Sequence, residues 1–167
     1  MRVQGDEGVA DAGMAELVHS VFGRPVPYID ALGLVLVERL PRGVVLRLPY
    51  RAGLIGNPDD GVLYGGAVSG LIDTACGFAA MVALPEPGAA GPRMASRRAV
   101  ATLDLRIDYL RPAVAGADLL ARAECYRLTR RIAFCRATAF SEASKDPVAE
   151  ALGTFMIAGP AAQGSQE

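Results

Sequence analysis

The sequence predicts an α+β fold in which one antiparallel sheet curves around a single long helix. Three observations point there. The stretch "GNPDDGVLYGGAVSGLIDTACGF", residues 56–78, opens as a turn and runs into an almost wholly apolar helix that Pro85 ends. Four long β-rich runs follow it, the first with a two-residue period. Two shorter runs precede it, joined by "PRG" as in a hairpin. A helix and strands of that order bury their apolar faces most simply by packing the sheet against the helix.

In chain order, "DAGMAELVHSVF" at 11–22 spaces Met14, Leu17, Val18, Val21 and Phe22 as a helix, with Asp11 as cap and Gly23 as stop. After "GRPVP" come the runs near Leu32–Leu40 and Gly43–Tyr50, then turn residues from Gly56 to Gly61. The long helix follows, and "PEPGAAGPRMAS" leads out of it as a loop. From Arg98, Ala99, Ala101, Leu103, Leu105, Ile107 and Tyr109 alternate with Arg98, Thr102, Asp104, Arg106 and Asp108, with only Val100 breaking the polar set. This predicts a strand with one dry and one wet face. Strands are predicted at about Ala117–Thr129, Arg131–Ser141 and Pro147–Ala158, the first two neighbours across a short link. Small residues on the helix (Gly65, Gly66, Ala67, Gly70, Ala75, Gly77, Ala79 and Ala80) would let a sheet and a ligand come close to its backbone.

At 167 residues the chain fits one domain, taken as 11–158 between short disordered tails at 1–10 and 159–167. A mean hydropathy of +0.27 indicates a globular protein. A net charge of −1 gives no electrostatic footprint for nucleic acid. The N-terminus lacks an apolar core of signal-peptide length. Val62 to Leu84 is long enough to raise the question of a membrane span, but a central Asp73 and glycines at 65, 66, 70 and 77 favour a helix enclosed by protein. The expectation is a cytoplasmic protein without nucleic-acid or membrane partners. Cys76, Cys125 and Cys135 sit in apolar contexts with neither a CxxC pair nor a metal-like cluster, so they read as core packing, and no metal or other cofactor is expected. His19, the one histidine, lies on the first helix and reads as a surface residue.

One acid stands out. No Lys or Arg lies within a helical turn of Asp73, and an ionised carboxylate taken out of water costs several kcal/mol unless paired. Spacing alone leaves two readings open: a functional carboxylate, or an acid facing solvent at a helix edge.

Asn57, the "LYGG" at 63–66, Asp73 in "GLIDTACG" and the later "ATLDLRIDYLRPA" at 101–113 together resemble the hotdog-fold acyl-CoA thioesterases. The branch they are most similar to is the phenylacetate-pathway (PaaI-like) one of the 4-hydroxybenzoyl-CoA thioesterase superfamily. The resemblance covers about residues 28–158. It implies a hotdog fold, an acyl-CoA substrate, and a homodimer that stacks further into a dimer of dimers. It also implies that the Gly65 N–H is an oxyanion donor, that Asp73 is nucleophile or general base, and that Asn57 belongs to the site. One position departs: the family's histidine before the two glycines is Tyr64 here. A phenol donates a hydrogen bond but does not titrate near neutral pH.

Physical reasoning agrees with these roles. The start of a long helix presents free N–H groups and a positive dipole end, which suits a developing oxyanion. Gly65 and Asp73 are eight residues apart, about 12 Å along one helix. No single carbonyl touches both, so a shared thioester requires Asp73 from a second copy of the chain. Tyr64, Gly66, Ser69 and Thr74 are candidate substrate-binding residues on the same helix. Ser69, four residues before Asp73, either bonds its carboxylate or is a small packing residue. Thr74 either meets substrate or bonds the helix backbone, and Asn57 in "GNPDDG" is equally a turn former. Arginine forks suit coenzyme A phosphates, with candidates at Arg97, Arg98, Arg111, Arg130 and Arg131. Phe78, Met81 and Phe134 are candidate pocket walls. Competing expectations are a non-catalytic acyl-CoA or fatty-acyl binding protein, a dehydratase or hydratase, and a structural oligomerisation domain.

Overall fold

The computed structural model describes residues 13–19, 24–85, 99–144 and 146–158. The expected tails, Arg97 and Arg98 fall outside them. The helices are residues 13–19 (α1), Pro27–Leu32 (α2) and Gly65–Val82 (α3). The strands are β1 (Val35–Leu40), β2 (Gly43–Leu48), β3 (Ile55–Asn57), β4 (Val62–Leu63), β5 (Ala99–Tyr109), β6 (Leu119–Leu128), β7 (Ile132–Ser141) and β8 (Pro147–Ala158).

Six strands form one antiparallel sheet in the order β1-β2-β6-β7-β8-β5, and α3 packs across one face of it. That is the hotdog arrangement. Side-chain size on both surfaces explains the close packing. The sheet turns Ala121, Ala123, Ala133, Ala137, Ala139, Ala149 and Ala151 towards the core, and α3 answers with Ala67, Ala75, Ala79 and Ala80. Fully buried Leu71 and Ile72 fill the remaining space, each stabilising the fold by about 1.5–3 kcal/mol. Among the described residues α3 is the one helix long and apolar enough to cross a membrane, yet half of it is buried by its own chain.

Three features differ from the sequence reading. Residues 27–32 form α2, where a strand beginning at Leu32 had been expected. Pro27 opens that helix, and Gly33 closes it at φ 64°, its N–H bonded to the Asp30 and Ile29 carbonyls. The segment is too short for periodicity to reveal, but proline at the start and glycine at the end were the available signals. The expected Gly56–Gly61 turn is the tip of a small hairpin, β3–β4.

The third difference concerns β5. Its pairing with β8 skips a residue between Thr102 and Asp104, a β-bulge that reverses which side chains face α3. Val100, Leu105 and Ile107 therefore pack on the core while Leu103 stands exposed. The expected dry face, which included Ala99, Ala101 and Leu103, holds only beyond the bulge. Val100, the one residue out of pattern, marked the shift.

Candidate active site

Sheet packing leaves one stripe of α3 uncovered. Gly65 and Gly66 are exposed, and Ser69, Gly70, Asp73, Thr74 and Gly77 are half-buried, at the three-to-four-residue spacing of one helical face. The β3–β4 hairpin fixes where that helix begins. The Tyr64 N–H donates to the Leu54 carbonyl (2.8 Å), and Tyr64 stays extended at φ −62°, ψ 135° as the residue before the first turn. Its carbonyl accepts from Ala67 (2.9 Å), closing that turn. The N–H groups of Gly65 and Gly66 precede any intrahelical acceptor, so they point out of the helix start as donors. A Cβ on Gly66 would lie 2.6 Å from Cε1 of Tyr64, so any larger residue there would push that exposed ring aside.

Two turns on, Asp73 is half-buried and its Oδ1 accepts a hydrogen bond from Thr102 Oγ1 (2.9 Å). Strict alternation would have grouped Thr102 with Asp104, Arg106 and Asp108; the bulge turns it towards the helix instead. A second β5 side chain reaches the helix start, where Tyr109 Oη donates to the Gly65 carbonyl (3.0 Å). Beside it an apolar cleft of about 360 Å³ runs between Val62, Leu63, Val68, Tyr109, Leu110 and Val148. One turn beyond Asp73, on the covered face, Cys76 has no exposed surface. Burial, aided by the Asp73 charge, pushes its thiol up to about 12, so it is a neutral core residue.

The other anticipated residues fall as follows. Asn57 is held in its loop: its amide donates to Asp60 (3.0 Å) and its side-chain oxygen accepts from the Asp59 N–H (3.2 Å). Tyr64 is 65% exposed over the helix start. Ser69 Oγ donates to the Gly66 carbonyl (3.0 Å), not to Asp73, and Thr74 Oγ1 donates to the Gly70 carbonyl (2.7 Å). Both hydroxyls are tied to the helix backbone.

Arg111 sits two residues past Tyr109 and pairs with Asp146 (3.3 Å). Arg130 and Arg131 are exposed in the β6–β7 turn, at the opposite end of the sheet from the start of α3. Phe78 is buried in the core and Met81 half-buried, but Phe134 is not a wall of this site. It lies on the sheet face away from α3, against Tyr126 (6.4 Å between rings). His19 is exposed.

Thr102 and Tyr109 were absent from the anticipated set. Their signal was a hydroxyl on the strand after the helix; the unseen bulge hid Thr102, while Tyr109 was read as part of the apolar face.

A helix start with free donors and a carboxylate oriented by a hydroxyl can stabilise an oxyanion and activate or supply a nucleophile. Comparisons with known proteins bear on which chemistry that is. The sequence profile of the thioesterase superfamily matches residues 60–148, more than half of the chain. A protein named as an esterase in Halobacterium salinarum is 42% identical over 108 residues, covering 60% of this chain and 65% of the relative. The medium/long-chain acyl-CoA thioesterase YigI of Escherichia coli is 26% identical over 85% of this chain and 92% of its own. A solved mutant of the phenylacetic acid degradation protein PaaI from Thermus thermophilus superposes with a TM-score of 0.63 at 30% identity, covering 78% of this chain and 98% of that one. Fold, motif order and profile agree: the chain belongs to the thioesterase superfamily, whose general chemistry is thioester hydrolysis.

Proposed function

We propose that the protein is an acyl-CoA thioesterase whose active site is composed across a dimer. The observation that carries this reading is Asp73: a half-buried carboxylate, bonded by Thr102, on the one stripe of α3 that the sheet leaves uncovered. The donors at Gly65 and Gly66 share that stripe but lie about 12 Å away along the axis, too far to meet one carbonyl together with the same chain's acid. A second copy facing this stripe would bring its Asp73 to the first copy's helix start. Support for pairing comes from β5, an 11-residue strand at the sheet edge with Leu103 and Tyr109 more than half exposed beside it.

In the reaction, the thioester carbonyl oxygen lies against the Gly65 N–H, which strengthens its hydrogen bond as negative charge develops. Asp73 from the facing copy either attacks the carbonyl carbon or takes a proton from the attacking water. Thr102 orients that carboxylate through the Oδ1 it bonds, leaving Oδ2 directed to the reaction. The apolar cleft beside the helix start receives an apolar part of the substrate. Arg111 at its edge, whose partner Asp146 is a solvent-exposed ion, is available to a coenzyme A phosphate.

The acyl-CoA assignment is supported by the similarity to YigI of E. coli, a medium/long-chain acyl-CoA thioesterase. A second reading, an acyl-CoA binder without turnover, is favoured by Tyr64, an exposed phenol where the family motif has histidine. One assay separates them: thiol release from a panel of aryl- and fatty-acyl-CoA thioesters, with Asp73→Asn beside the wild type. Turnover that the variant loses supports the enzyme. Binding without turnover on any thioester supports the binder and refutes the hydrolytic proposal.

A further inference from the structure

The sheet beneath α3 carries a pair of thiols that hydrolysis does not use. Cys125 in β6 and Cys135 in β7 are directly opposed in the strand register. The Cys125 N–H donates to the Arg42 carbonyl (2.8 Å), on the β2 side. Its backbone groups therefore point away from β7, and the two cysteines form a non-hydrogen-bonded pair. Such pairs hold their Cα atoms about 4.5 Å apart with side chains close together. That spacing lies within the roughly 4.4–6.8 Å that a disulfide spans, so the bond can close without moving the strands.

The side-chain environment is asymmetric in a way that suits oxidation. The Cys135 thiol donates to the Cys125 sulfur, and Arg42 brings its guanidinium to within 3.9 Å of the same sulfur; both hold the Cys125 thiol below its ordinary range. Cys135 is held well above it, chiefly by the neighbouring Cys125 sulfur and then by burial. The Arg42 guanidinium favours loss of the proton at Cys125 over Cys135, which makes Cys125 the attacking sulfur of the pair. Neither cysteine has appreciable exposed surface, but Arg42, whose guanidinium reaches the Cys125 sulfur, is itself exposed. The ladder is also broken by a bulge at Tyr126, immediately beside Cys125, where local opening is easiest.

We propose that Cys125 and Cys135 are a peroxide-oxidisable dithiol that closes reversibly into a cross-strand disulfide under α3. The Cys125 thiolate attacks one oxygen of hydrogen peroxide, forming an S–O bond as the O–O bond breaks and hydroxide leaves. The Cys135 sulfur then attacks the sulfenic sulfur, forming the S–S bond as the S–O bond breaks and a second hydroxide leaves. The two hydroxides take up the two thiol protons, so two thiols and one peroxide give one disulfide and two waters. Cys76, held neutral by burial, stays a free thiol. This proposal stands independently of the hydrolytic reading.

The test is peroxide treatment of the native full-length protein, followed by denaturing alkylation, intact mass and peptide mapping. The expected result is a loss of about 2 Da, one remaining alkylatable thiol of the three at Cys76, a linked Cys125–Cys135 peptide, and full reversal by dithiothreitol. In Cys135→Ser the Cys125 sulfenic acid should persist and be trapped by dimedone, whereas Cys125→Ser should give neither product. Three free thiols after treatment would overturn the proposal, as would disulfides between chains or over-oxidation spread over all three cysteines.

Discussion

The two long faces of α3 are built from one sequence and meet opposite fates. On the covered face, Leu71, Ile72, Ala75, Cys76 and Ala79 have no exposed surface, and even a titratable thiol is held neutral there. On the uncovered face, Gly65, Gly66, Ser69, Gly70 and Asp73 keep the backbone reachable, and the acid is kept beside a hydroxyl. Asp73 and Cys76 are less than one turn apart, yet one is half-buried beside a hydroxyl and the other is sealed in the core. The contrast shows that the sheet, not helix composition, decides which residues of this helix can be reached.

The comparison breaks if changes on the two faces have the same consequences. The largest expected effect is on the open face: Asp73→Asn should reduce turnover by about 10²–10⁴-fold while the folded, assembled protein is retained, as checked by circular dichroism and sedimentation. On the covered face, Leu71→Ala should do the reverse. Removing a fully buried leucine side chain should cost about 2–5 kcal/mol in chemical denaturation, with turnover per folded molecule close to wild type. Comparable activity losses in both variants would abolish the distinction.

Smaller effects sharpen it. Thr102→Val removes the one described hydrogen bond to Asp73 and should lower kcat about tenfold, whereas Thr102→Ser should restore most of it. The smallest effect is on pH. Because burial raises the Cys76 thiol from its ordinary value near 9 to about 12, the unfolded chain loses that proton first. Stability attributable to Cys76 is complete below about pH 9 and declines as pH rises from 9 towards 12. Denaturation curves over that range should therefore slope downwards less steeply in Cys76→Ala than in wild type.

Much of this was legible in the sequence. The apolar helix ending at Pro85, the four following strands and the isolated Asp73 gave the layer architecture, because periodicity and burial cost act over many residues at once. Short or irregular features were hidden. α2 has too few residues to show a period, and the bulge before Asp104 reversed the face of β5 through one unpaired residue. Thr102 went unseen for that reason, whereas Tyr109, on the expected face beyond the bulge, was read only as an apolar member of that face. Phe134 failed differently: a half-buried aromatic on a strand carries no mark of which sheet face it occupies.

The composite site itself is tested most directly by mixing two defective chains. Gly65→Pro removes the proposed oxyanion N–H while keeping the helix, because proline suits the first helical position, the extended Tyr64 before it is compatible, and a Cβ there meets Tyr109 Oη only at 3.7 Å. Gly65→Pro and Asp73→Asn should each be nearly inactive alone. Randomly assembled together, half the dimers are mixed and each regains one of its two sites, so activity should return to about a quarter of wild type. A mixture that forms mixed dimers yet stays as inactive as either parent would contradict the account.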